Sequence, residues 1–229
     1  MKKYLFLSTL LAFGLAQFGA ASTLVNFSAA GVQNTQVAGT TDFSFNNLQR
    51  GYSSAAVAVP GIGEFNGLAA ENSGQFGGAT GHSKYGVVGY PGNSNATLTF
   101  GGPASYVGFW WSAADAQNTV TLYSGKDAVL TLTGSDLVKS LGGCSSANAY
   151  CGNPVNGLDS KELFTYVNIF GQNGTKFSSI SFQNGPETGF EFDNLAYIDP
   201  PDAPEPATWA CLALGLGTLS LLGLRGRKA

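Results

Sequence analysis

An all-β fold, a single jelly-roll-like β-sandwich, is predicted by three observations. Apolar and polar residues alternate in short runs and do not recur at helical spacing. Gly, Asn and Pro punctuate those runs at close intervals. The composition is that of an exported sheet domain: of 229 residues 44% are hydrophobic, 12% aromatic and only 11% charged, with 32 glycines.

Residues 1–21 read as a secretory signal peptide. Lys2 and Lys3 supply the positive start, residues 4–16 the apolar stretch, and Gly19, Ala20 and Ala21 the small residues before a cleavage point. The β-sandwich is placed at residues 22–198. Residues 23–27 open it, and 42–45 and 53–59 are short strands, the second ended by Pro60 and Gly61. Residues 71–92 are Gly-rich and read as long loops, with a weak strand at 85–88. The second half is more regular. Residues 95–100 put Ala96, Leu98 and Phe100 on one face, and 105–111 carry aromatics on both faces, as a central strand buried on two sides would. Residues 118–123 and 128–132 alternate about a hairpin turn at 124–127, and runs at 163–170, 176–183 and 189–198 complete about ten strands. No amphipathic helix of useful length is expected between residues 22 and 199. That excludes a parallel α/β sheet, which needs helical crossovers. No long-period repeat suggests a solenoid or propeller.

Charge excludes other classes. All 14 acidic residues lie between Asp42 and Glu205, whereas five of the 11 basic ones cluster at the termini. Residues 22–206 therefore hold six basic side chains and carry a net charge of −8. A body this acidic argues against nucleic acid or anionic lipid as partner. Cys144 and Cys151 flank a polar loop in a chain bound for an oxidising compartment, which predicts a local disulfide. Cys211 sits alone in an apolar run, and the single histidine, His82, has no zinc-ligand partner near it. No metal centre is expected on these grounds.

After a proline-rich linker at 199–203 the chain ends in three parts: Pro204-Glu205-Pro206, an uncharged apolar run at 207–224, and the basic residues Arg225, Arg227 and Lys228. As a helix the 18-residue run would span roughly 27 Å, close to the hydrocarbon thickness of a bilayer. The basic tail would stay on the cytoplasmic side, leaving the sandwich outside. This order resembles the PEP-CTERM sorting signal of exosortase-dependent bacterial surface proteins. The same segment is also labelled an ice-binding protein C-terminal domain, a label that implies no ice binding. Residues 106–112, Asp115, 118–120, 133–136, 166–168 and 190–197 are similar to the body of one such family. The resemblance implies export, transient anchoring in the inner membrane, processing by an exosortase and display at the cell surface or in an extracellular matrix; it implies no chemistry.

Within the body, Glu191 and Asp193 share one face of a strand. They resemble part of the active-site strand of sandwich-fold glycosidases, which set an acid and a nucleophile about 5–5.5 Å apart. The simpler reading is that Asp193 and Asn194 hydrogen-bond loop backbone where the strand kinks. Trp110 and Trp111 either form an aromatic platform for a sugar or lie in the core, and alternation buries at least one. Asp115 and Asn118, with Asp193, either hold Ca²⁺ or cap a turn between strands. The leading expectation is a non-enzymatic structural or adhesive surface protein. The alternatives are a carbohydrate-binding module for extracellular polysaccharide and a glycoside hydrolase using Glu191 and Asp193.

Overall fold

In the computed structural model, residues 21–89, 93–186 and 189–199 are described. All of the signal peptide but Ala21, the sorting tripeptide, the run at 207–224 and the basic tail lie outside them, as does all of the linker but Asp199.

Among the described residues fourteen strands form two antiparallel sheets. In chain order they are β1 (Ser22–Phe27), β2 (Thr41–Phe43), β3 (Gly51–Tyr52), β4 (Val57–Val59), β5 (Gly63–Asn66), β6 (Ala69–Asn72), β7 (Lys84–Val88), β8 (Asn95–Ala104), β9 (Tyr106–Ala114), β10 (Thr119–Ser124), β11 (Asp127–Thr133), β12 (Leu163–Gln172), β13 (Phe177–Gln183) and β14 (Phe190–Ile198). The larger sheet runs β1-β12-β9-β14-β7-β6-β3, with β2 also on β14; the smaller runs β11-β10-β13-β8-β5-β4. From β7 onward the chain crosses repeatedly between the two sheets, so that sequence neighbours rarely become sheet neighbours. The expected sandwich is present. The strands beyond the expected ten are mainly two- to four-residue pieces between residues 41 and 72, too short to show a period.

Aromatic rings fill the space between the sheets. Phe182 of the smaller sheet stacks on Phe192 of the larger with ring centres 4.0 Å apart, and Trp111 stacks on Phe190 at 4.6 Å. Every residue of β9 is buried, as its two-faced aromatic pattern predicts. Val107, Phe109 and Trp111 join the core between the sheets, whereas Tyr106 and Trp110 point to the other side of the larger sheet. That outer side is not solvated. The segments 28–40 and 73–83 lie over it and bring Val37 and Ala79 onto the second cluster. At Gly108 the two tyrosines crowd the backbone: a Cβ there would collide with Tyr106 and Tyr166.

One helix departs from expectation. Residues Gly134–Leu141 form α1, closed at its start by a reciprocal box in which Thr133 accepts from the Asp136 N–H and Asp136 accepts from the Thr133 N–H. The Thr133 contact also holds the Asp136 carboxyl below its usual range. Two turns of helix with one buried leucine, Leu137, carry too little periodicity to stand out from a strand pattern. Asn148 closes the other end by donating to the carbonyls of Leu141, Gly142 and Gly143. The predicted Cys144–Cys151 disulfide is formed, with Cα atoms 5.5 Å apart, and Cys151 bridges to Leu163 at the start of β12.

Phe182 contacts both sheets, so Phe182→Ala should cost about 3–5 kcal/mol, read as a lower denaturant midpoint at unchanged slope. A loss under about 1 kcal/mol would mean that the aromatic stack is not the centre of the core.

Candidate functional site

Strand β14 carries the polar residues that the sequence singles out, and its hydrogen-bonding edge is forked. Residues 190–192 pair with β7, residues 195–197 pair with β2, and the register on the opposite side, against β9, slips between Asp193 and Ala196. The slip is a bulge at Asn194, whose φ of 47° lies in the left-handed region that Asn tolerates.

Asp193 sits at the fork with no solvent exposure. Its carboxylate accepts hydrogen bonds from the N–H groups of Ala79 (2.9 Å), Asn194 (2.7 Å) and Phe45, and the Ser83 hydroxyl lies 3.3 Å away. Burial raises its pKa, and these donors pull it back down. Asn194 reaches the other way, donating to Gln33 O at 2.9 Å and to Asn34 Oδ1 at 2.7 Å. The pair thus ties segments 73–83 and 28–40 to the outer face of the larger sheet. This is the loop-backbone role of the simpler reading. With its oxygens committed and enclosed, Asp193 is not placed to act on a substrate with Glu191 or to ligate an ion with Asp115.

The two tryptophans are corrected as a sugar platform. Trp110 is 1% and Trp111 0% exposed. They face opposite sides of β9, as alternation requires, but loops cover the outer side, so neither ring is offered to a ligand. Asn118 is likewise enclosed: its side chain donates to Gly189 O at 2.7 Å and its own carbonyl accepts from Gly134 N–H. It supports the strand ends and does not stand free beside Asp115. His82 is exposed in the loop before β7.

Glu191 and Asp115 meet different neighbours from those expected. Glu191 is 8% exposed, sharing its face of β14 with register partners Val87 on one side and Ser112 on the other. Burial first, then the negative charges of Glu162, Asp115 and Asp159, push its pKa well above the usual carboxylate range. Asp115 follows the end of β9, where Ala113 adopts a φ of 46° at a register shift against β12 and Ala114 still pairs with Leu163. Burial raises the Asp115 pKa, opposed by a hydrogen bond with Glu162. Glu162 is shifted from the usual 4.5 up to about 8 by burial and by the Asp159 and Asp115 carboxyls within hydrogen-bonding reach. Asp159 and Glu162 were not legible as site residues, since they lie far from Asp115 and Glu191 in sequence and in no motif. The disulfide and the Cys151–Leu163 bridge anchor the segment that brings them there. Among the described residues, no three His, Cys, Asp or Glu side chains already surround an ion position.

A separate polar hollow of about 210 Å³ opens where Asn194 meets the covering segment. Asn34, Thr35, Asp42, Phe43 and Tyr166 line it with Asn194. The Tyr166 hydroxyl donates to Asn194 O, and Thr35 bonds to Tyr106, so its floor is held in place.

No family model matches the chain, and no curated protein matches it. Among solved structures, the catalytic domain of a GH87 alpha-1,3-glucanase variant in complex with tetrasaccharides is similar, with 14% identity and a TM-score of 0.34. The match covers 74% of this chain and 30% of that chain, so the present sequence spans under a third of the enzyme domain's length. A likeness at that score carries no argument about chemistry.

The carboxyl cluster makes stability depend on pH in a definite direction. Glu162, Glu191 and Asp115 are all raised in the folded state, so their contribution is full below their unfolded values and is lost as pH rises through the folded ones, which for Glu162 lies at about 8. In chelator-treated buffer the melting temperature should therefore fall between pH 5 and pH 8.5, and Glu162→Gln should flatten that fall. A wild-type melting temperature that climbs over the same interval would contradict the cluster's electrostatics.

Proposed function

We propose that the chain is an exported, non-enzymatic surface protein with a structural or adhesive role. A signal peptide at 1–21 directs export, and the sandwich at 22–198 is the displayed part. The tail at 204–229 holds it transiently in the inner membrane until an exosortase acts at Pro204-Glu205-Pro206. The observation that carries this reading is the succession, in the sequence, of tripeptide, uncharged 18-residue run and basic cluster. The Cys144–Cys151 disulfide supports it, because such bonds persist in oxidising compartments outside the cytosol. The crossing of the chain between sheets supports the jelly-roll reading. The consecutive strands β7 to β14 fall into the orders β7-β14-β9-β12 and β8-β13-β10-β11, the interleaving of two Greek keys.

A second reading is favoured by one feature, the hollow at Asn194. Its volume of about 210 Å³ suits a single sugar unit, and Asp42, Asn34 and the half-buried ring of Phe43 supply polar groups and an apolar face. On that reading the displayed domain is a carbohydrate-binding module whose contacts lie at Asn194 and Phe43, away from the tryptophans. A glycan array probed with wild type and Asp42→Ala separates the two readings: saccharide binding that the substitution abolishes would favour the module.

Replacing Pro204, Glu205 and Pro206 together by alanine should leave the precursor unprocessed in the membrane fraction of the native host. Intact mass then reports a chain still carrying residues 207–229, whereas the wild type ends near 204–206. Unaltered processing of the triple variant would overturn the sorting assignment.

A further inference from the structure

Four carboxyl groups meet at one end of the larger sheet's outer face. Asp115 follows β9, Asp159 and Glu162 lie just before β12, and Glu191 is on β14. The charges acting on Asp115, Glu162 and Glu191 are the other carboxylates of this group. Glu162 lies within hydrogen-bonding reach of both Asp115 and Asp159, so carboxylate oxygens from separate segments gather at one place, where a cation would offset their mutual repulsion.

Two further atoms point to a cation. The Ser112 hydroxyl is completely enclosed and has no hydrogen-bond partner. Ser112 is the register partner of Glu191, so its side chain projects from the sheet on the same face as that carboxylate. Oδ2 of Asp159 is also buried without a partner. An orphaned hydroxyl beside a buried carboxylate is a polar atom left without the ligand that would satisfy it. The donor set is all oxygen, with neither thiol nor imidazole, which selects the hard cations and disfavours zinc or copper. Three distant segments contribute, and their flexible carboxylates match the irregular coordination of calcium better than the strict octahedron of magnesium.

We propose that Asp115, Asp159, Glu162 and Glu191 form a calcium-class divalent cation site, with Ser112 as a neutral oxygen beside it. In the structure Glu162 is engaged with Asp115 and Asp159, and no three of these side chains surround a common position, so binding the cation draws Glu162 inward. A bound ion clamps the segment before β12 to the ends of β9 and β14. It does by charge what the Cys144–Cys151 bond does covalently a few residues upstream. This set replaces Asp115, Asn118 and Asp193, of which only Asp115 is retained.

The test is calorimetry of the purified full-length chain at pH 8, in EDTA and in 10 mM Ca²⁺, with Mg²⁺ in parallel. For a site with a Kd of about 0.1 mM, Ca²⁺ should raise the Tm by about 5–10 °C, and Mg²⁺ should do less. Glu162→Gln and Asp159→Asn relieve repulsion, so both variants should fold and melt higher than wild type in EDTA while losing most of the Ca²⁺ response. No Ca²⁺-dependent shift in the wild type would overturn the proposal. An undiminished shift in both variants would overturn it too, by placing the ion elsewhere.

Discussion

The buried carboxylate of Asp193 is the constraint on which the outer half of this structure rests. A charge with no solvent exposure is costly to desolvate, and it persists because three backbone N–H groups and a nearby hydroxyl face it. Those donors come from two separate segments and from the strand bulge itself. The edge of β14 can pass from β7 to β2 because the fork is filled by this acceptor. Asn194, forced into the left-handed region by the same bulge, fastens the remaining covering segment. The covering in turn encloses Trp110 and Tyr106, which would otherwise leave an apolar stripe on the face of a sheet.

How much of this was legible in the sequence depends on how local each cause is. The two-faced pattern of β9 marked it as central because alternation is a property of consecutive residues, and it assigned Trp110 and Trp111 to opposite sides. It could not show that the outer side is covered, since that depends on segments 28–40 and 73–83 folding over it from distant positions. The cysteine pair announced its bond through its spacing. The carboxylate cluster had no such announcement: Glu191 and Asp115 were singled out, but with the wrong partners, because Asp159 and Glu162 reach them only through the disulfide-anchored segment before β12. Helix α1 and the short strands from β2 to β6 are too brief for periodicity to declare them.

The acidity of the body reads differently once the fold is known. A net charge of −8 over residues 22–206 looks like a solvated, repulsive surface, yet Glu191 and Asp193 are carried inside, under the loop layer. One is stabilised by hydrogen bonds from the chain itself. The other faces further carboxylates, and the proposed cation would supply the missing charge. On this account the outer layer is held at two points of β14, two residues apart, by different means. Asp193 binds the layer through backbone donors, whereas the Glu191 end depends on solution conditions. For a domain proposed to be displayed outside the cell, that second point would link compactness to the ions around it.

The most direct test of this account is amide hydrogen exchange of Asp193→Asn against the wild type, resolved by segment. The substitution places an NH₂ where backbone donors now point, so exchange within residues 28–40 and 73–83 should quicken by about tenfold or more while β8 and β13 keep their protection. If both segments keep wild-type exchange rates, the loop layer is held by something other than the Asp193 carboxylate, and the organisation argued here is wrong.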